Sequence, residues 1–259
     1  MTGEFSSSWL TLREPADAAA RVASLVGKLT LTPPLVIRDL GCGTGSLGRW
    51  LAPLLPGPQH WILQDRDPAL LEHAAAHLPD GVTVETSLGD VTMLTGDDLK
   101  GTSLITCSAL LDLFTTEEVA ALAEVCAASD TPALFTLSVV GEVTFEPADP
   151  RDAEVADAFN THQRRAAGDR RLLGPEAVGA AAEAFARAGV PVSVRPSPWQ
   201  LGPEHAALTA EWLRGWVGAA AEQRPDLELD DYLKARTAAA EAGLLRVTVG
   251  HQDLLAQKD

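Results

Sequence analysis

Apolar positions in this chain recur with two different periods. Short apolar runs of strand type fall at 35–40, 61–65, 82–86, 103–107 and 133–139. Between them, apolar residues return every three or four positions, the helical period, over 46–55, 68–78 and 116–128. Leu47, Trp50, Leu51, Leu54 and Leu55 make one such stripe, which Pro56-Gly57-Pro58 stops. Val119, Leu122 and Val125 make another. Strands alternating with helices predict a parallel sheet with right-handed crossovers and helices on both faces. Ligands of such sheets sit at the carboxyl ends of the strands. Gly41, Asp65, Asp90 and the residues after Cys107, distant in sequence, are therefore expected around one crevice.

The pattern changes outside this core. At the start, Pro15 suits the first turn of a helix with Val22, Leu25, Val26 and Leu29 as its stripe. Pro147 and Pro150 break the alternation, a helix is expected over 153–166, and Gly168 and Gly174 end that piece. Helix 175–188 and a strand over 190–194 resume the pattern, followed by helices at 203–222 and 229–242 and a last strand at 245–249. His205, Leu208, Trp212 and Trp216 share one helix face. No internal repeat or low-complexity linker interrupts the chain. The expectation is one domain over 1–259, with an N-terminal helical cap at 1–30 and helical insertions at 141–174 and 196–243 over the substrate side.

Composition narrows the function. A chain of 259 residues, 46% hydrophobic and 22% charged, suits a soluble α/β domain with a cap. The net charge of −16 counts against a nucleic-acid partner, which needs a basic face. No apolar run approaches the roughly 20 residues that cross a bilayer, so no membrane partner is expected. The start, Met1-Thr2-Gly3-Glu4-Phe5-Ser6, lacks a basic and then apolar signal pattern. Cys42, Cys107 and Cys126 are odd in number and far apart, which suggests reduced thiols and a cytoplasmic protein.

The most informative stretch is Val36-Ile37-Arg38-Asp39-Leu40-Gly41-Cys42-Gly43-Thr44-Gly45-Ser46-Leu47-Gly48, a strand, a glycine turn and a helix start. Glycines allow a sharp turn and close approach of a ligand, and the helix N-terminus offers free N–H groups. Gly43, Gly45 and Gly48 also fit the dinucleotide fingerprint, so glycine spacing alone leaves a Rossmann-like oxidoreductase open. Asp65, which ends the second strand, lies about 20 residues past Gly43, where an acid reaches ribose hydroxyls. Gly89-Asp90 follows the third strand.

On these residues the chain resembles the class I S-adenosylmethionine-dependent methyltransferases. The family's acid-x-G-x-G-x-G motif is matched by Asp39 through Gly45, its acid three residues before a proline by Asp65-Arg66-Asp67-Pro68, and its Gly-Asp by Gly89-Asp90. The resemblance implies a Rossmann-like, seven-stranded, mostly parallel sheet and S-adenosyl-L-methionine as cofactor. The implied cofactor residues are Asp39, Gly41, Cys42, Gly43, Gly45, Asp65, Arg66, Asp90, Val91 and Cys107. An N-terminal helix often covers the cofactor in this family, which makes Arg13 a candidate for the methionine carboxylate; the alternative is an exposed arginine.

A hydroxyl acceptor needs a base to take its proton. Asp112, in Leu111-Asp112-Leu113-Phe114, stands where small-molecule O-methyltransferases carry a histidine, and His162 is the alternative. Arg164, Arg165, Arg170 and Arg171 flank Gly168; they make either a solvated loop whose charges pair with nearby acids or a lid in which Arg164 and Arg165 hold an acidic substrate group. Trp199 and Trp212 are candidate pocket walls. The chain has no Asn/Asp-Pro-Pro-Tyr motif, no Pro-Cys nucleophile and no Asp-Asn pair for magnesium. The expected activity is metal-independent methylation of a hydroxyl on a natural-product or sugar-like small molecule, by a monomer or homodimer. C- or N-methylation, or a silent cofactor-binding regulator, are the alternatives.

Overall fold

A computed structural model describes residues 6–258; the opening residues Met1–Phe5 lie outside that range. The chain runs α1 (Ser7–Ala20), α2 (Ala23–Val26), β1 (Leu35–Leu40), α3 (Ser46–Leu51), β2 (Gln59–Asp65), α4 (Pro68–His77), β3 (Thr83–Leu88) and β4 (Leu104–Ser108). It continues with α5 (Thr116–Ala128), β5 (Ala133–Glu146), α6 (Asp152–Gln163), the short pair β6 (Ala166–Ala167) and β7 (Arg170–Arg171), and α7 (Ala177–Arg187). The last elements are β8 (Val192–Pro196), β9 (Trp199–Leu201), α8 (Ala206–Gln223), α9 (Asp230–Glu241) and β10 (Arg246–Ala256).

The main sheet follows the order β3-β2-β1-β4-β5-β10-β8, and β9 adds an eighth strand on β10. β1 pairs in parallel with β2 and β4, β2 with β3, and β4 with β5. β10 runs antiparallel to β5, β8 and β9. The expected Rossmann-like sheet is present, with one strand more than seven.

Three expectations need correction. The first helix begins at Ser7, not Pro15: the Ser6 hydroxyl caps it by accepting from the Trp9 N–H, and Pro15 lies inside. A proline inside a helix costs about 3 kcal/mol. Burial of Trp9, Leu12 and Ala16 against the cap offsets it. The helix stops at Arg21, whose backbone turns extended, and the Asp253 carboxylate takes the next N–H, that of Val22, at 2.8 Å.

β5 does not end at Val139. It bends at Leu137 and Gly141, both with positive φ, and continues to Glu146 because β10 supplies its ladder. The insertion expected over 141–174 therefore starts as strand. β10 likewise runs on past Val249 to Ala256 through two register shifts. Its polar stretch His251-Gln252-Asp253 hid that from the hydrophobic pattern, yet Asp253 is buried and accepts the N–H of Leu137 at 2.8 Å.

Three apolar clusters hold the layers together. One packs α5 and α7 on a sheet face around Phe135 and Phe185, and another packs α3 and α4 on Trp61 and Leu63. The third joins α1, α6, α8 and α9 around Trp199, Trp216 and Tyr232. Among the described residues no helix is long and apolar enough to cross a membrane.

Candidate active site

The β1–α3 turn builds the floor of the site. Gly41, Gly43 and Gly45 all take positive φ, at 63°, 54° and 82°. A Cβ at Gly41 would come within 2.5 Å of Leu110, and one at Gly43 within 3.2 Å of Leu10. Gly41 and Gly43 thus keep a crevice open between the turn, the β4 end and α1. Along its walls lie Asp39, Gly41, Cys42, Gly43, Asp65 and Arg66, joined by Asp90 and Val91 beyond β3.

Asp65 is held for acceptance. Its Oδ2 takes the Gly43 N–H at 2.9 Å and its Oδ1 the Asp67 N–H at 3.0 Å. Asp90 accepts from the Thr92 N–H and hydroxyl, and the backbone bond leads in holding its pKa below the usual carboxylate value. Asp39 is buried: the Thr106 hydroxyl donates to Oδ1 at 2.8 Å, while Oδ2 has no partner. Burial pushes its pKa up to about 7.

Two of the residues expected at the cofactor stand elsewhere. The Gly45 N–H bonds the Cys42 carbonyl at 2.8 Å, and Gly45 packs toward Ala74 as the start of α3. Cys107 points into the core beside Leu40 and Phe135, because strand side chains alternate; its neighbour Ser108 faces the crevice instead.

α1 crosses the crevice and contributes Leu10, Arg13 and Asp17. Arg13 is not an exposed arginine. Its Nε donates to Asp17 Oδ2 at 2.9 Å and its Nη2 to Oδ1 at 3.2 Å, and the guanidinium lies 4.9 Å from the Trp199 ring. The Trp199 Nε1–H donates to Asp17 Oδ1 at 2.9 Å. Trp199 is thereby a buried support, not a pocket wall. Trp212 is a correction of the same kind, stacked on Trp216 in the cap cluster at 5.3 Å.

Asp112 sits on a short turn, Leu111–Leu113; Leu110, Leu113 and Phe114 line the crevice, and Asp112 lies directly behind them. Burial pushes its carboxyl up to about 6, opposed by its own backbone N–H and by the charges of Arg13 and Arg165. His162 lies off the crevice on α6, 3.3 Å from Glu222 of α8. Burial, and then Arg165, lower its pKa, against the pull of Glu222.

The arginine cluster also divides differently. Arg164 forks onto Glu176, with Nε 2.7 Å from Oε1. Arg165 folds back on His162, donating to its carbonyl at 3.2 Å. Neither lines the crevice. Arg170 does: it donates to both Glu118 oxygens at 2.7 Å and to the Leu113 carbonyl at 2.9 Å. The signal for this was the capping box Thr115–Glu118, which fixes the acid that Arg170 meets. Ser108 follows the expectation for the residues after Cys107, whereas Asp17 and Leu10 are crevice residues that sequence reasoning passed over, since neither belongs to a motif.

Comparison with known proteins fits this geometry. Residues 37–130 match the family described as "Methyltransferase domain". No curated protein matches the chain. Among solved structures, mycolic acid cyclopropane synthase complexed with SAH and CTAB is 17% identical, with a TM-score of 0.52 over 94% of this chain and 83% of that one. Its apo-form is 15% identical, with a TM-score of 0.50 over 98% and 100%. Magnesium protoporphyrin IX methyltransferase from Synechocystis is 14% identical, with a TM-score of 0.48 over 100% and 90%. At these identities the likeness concerns the fold. Residues 37–130, which hold the glycine turn, Asp65 and Asp90, are thus similar to a methyltransferase domain.

Proposed function

We propose that the crevice binds S-adenosylmethionine, and that the protein transfers its methyl group to a hydroxyl of a natural-product or sugar-like small molecule. The observation that carries the reading is the convergence of the glycine turn, Asp65 and Asp90 on one crevice across the ends of β1, β2 and β3. When bound, the cofactor supplies a methyl group made electrophilic by its sulfonium. The similar cyclopropane synthase was solved with SAH, in line with this choice of ligand.

The chain's own residues supply the rest. Asp65 keeps lone pairs free for the ribose hydroxyls after taking two backbone N–H groups, and Asp90 stands ready for the adenine amine. Asp39, buried and bonded to Thr106, braces the end of β1 beneath the glycine turn. Holding acceptor and methyl in line supplies roughly 7–11 kcal/mol of the barrier. Asp112 is the base: a carboxyl near pKa 6 is ionised at neutral pH yet basic enough to take a hydroxyl proton. His162, turned toward Glu222, is less suited. The transfer is metal-independent, in a cytoplasmic monomer or homodimer, and the net charge of −16 favours a small acceptor over nucleic acid.

Two measurements test this. Calorimetry with S-adenosylhomocysteine on Asp65→Ala should show a loss of about 1.5–3 kcal/mol, as for other hydrogen bonds to a charged group. Unchanged affinity would sink the site. For the acceptor, hydroxylated metabolites are screened with labelled cofactor, and Asp112→Asn should then lower kcat about 10²–10⁴-fold. Near-normal turnover would point to C- or N-methylation, or to a hydroxyl already acidic.

A further inference from the structure

Ser108 ends β4 with its hydroxyl at the crevice. Arg21 Nη2 donates to its Oγ at 3.2 Å, and the Thr136 hydroxyl donates to the same oxygen at 3.0 Å. A serine hydroxyl has two lone pairs and one proton. With both lone pairs engaged from behind, the proton is left to point outward, so Ser108 can act toward the crevice as a donor alone. Arg21 and Thr136 are 5% and 1% exposed, so neither meets a ligand, and both fix the hydroxyl from within. Arg21 also donates to Ser46 Oγ at 3.0 Å, which ties the glycine turn to the β4 end.

The strand order says what that donor faces. Asp65 ends β2 and Ser108 ends β4, on opposite sides of β1. Two strand spacings separate them, about 10 Å. A ligand whose ribose lies on Asp65 therefore crosses the β1 end and presents its far end to Ser108. For S-adenosylmethionine the far end is the amino-acid tail. Arg13, which also stands there, already spends its Nε and one Nη on Asp17. Arg21 brings a second positive charge behind the Ser108 hydroxyl, among Asp17, Asp39 and Asp253.

We propose that Ser108 is a dedicated hydrogen-bond donor to the carboxylate of the cofactor's methionine tail, with Arg21 and Thr136 as its positioning residues. The inference rests on the reading of the crevice as a cofactor site.

Two ligands separate it from a structural role. S-adenosylhomocysteine carries the tail carboxylate, whereas methylthioadenosine keeps the nucleoside and thioether without it. By calorimetry, Ser108→Ala should bind S-adenosylhomocysteine about tenfold to a hundredfold more weakly and methylthioadenosine as the wild type does. Ser108→Thr, which keeps a hydroxyl, should recover most of the loss. Thr136→Val should weaken S-adenosylhomocysteine a few-fold, roughly the worth of a neutral hydrogen bond, and add nothing in the Ser108→Ala background. Melting temperatures of all variants establish that each is folded; if Ser108→Ala is not, Thr136→Val carries the test by the same two-ligand comparison. Unchanged affinity for S-adenosylhomocysteine, or equal losses for both ligands, would overturn the assignment. Failure of the wild type to bind either ligand would instead remove the cofactor reading on which it stands.

Discussion

Asp39 is 1% exposed, and of its two oxygens one is bonded to Thr106 while the other has nothing. Burial raises its pKa to about 7, more than the Thr106 bond and the charge of Arg21 lower it. The folded protein thus keeps a proton that an unfolded aspartate gives up near pH 3.9. Where the native state binds more protons than the unfolded one, stability falls as pH rises. Asp39 therefore contributes a decline from about pH 4 to about pH 7 and no slope above. Asp112, raised to about 6, acts in the same sense but finishes earlier. Asp39→Asn has no proton to lose. Its melting temperature relative to wild type should improve between pH 5 and pH 8, and an equal difference at both pH values would show that Asp39 is not the group responsible.

At the scale of elements, the sequence was legible wherever pattern and motif coincide. The run Val36 to Gly48 announced strand, turn and helix, and β1 and α3 begin where it placed them. Asp65 and Asp90 were found because each follows a strand end within a motif of the resembled family. What stayed hidden depends on distant partners. Nothing near Pro15 says that Trp9 and Ala16 will find the cap, so the true start of α1 could not be read. His251 and Asp253 look like a loop until Val22 and Leu137 supply N–H groups across the fold. The hairpin of β6 and β7 is two residues a side, too short for any period, yet it carries Arg170 to Glu118. Of the two readings of the arginine cluster, Arg164 follows the ion-paired one, on Glu176, while Arg170 reaches the crevice, because the acids across the gap decide which member turns inward.

In the whole molecule α1 joins two parts that the sheet alone leaves separate. Leu10, Arg13 and Asp17 face the crevice, and Trp9, Leu12 and Ala16 pack with the α6–α8–α9 cap. The helix is pinned to the glycine turn at two points. Glu14 forks onto Arg49, which in turn donates to the Thr44 carbonyl at 2.6 Å, and Arg21 reaches Ser46. A ligand in the crevice therefore holds α1 as well as the turn, and openings that release it must first break both pins and the ligand contacts. Binding to the native state alone stabilises by RT ln(1 + [L]/Kd), which at a hundredfold excess over Kd is about 2.7 kcal/mol. Amides that exchange through opening of the crevice should then slow about 100-fold. With S-adenosylhomocysteine at that excess, hydrogen exchange followed by mass spectrometry should show this slowing over 7–20 and 41–46. Peptides of 210–241, on α8 and α9 away from the crevice, should change much less unless they exchange by global unfolding. Protection of α8 and α9 without protection of α1 would mean that the ligand enters through the cap, and that α1 is a fixed wall instead of the cover over the site.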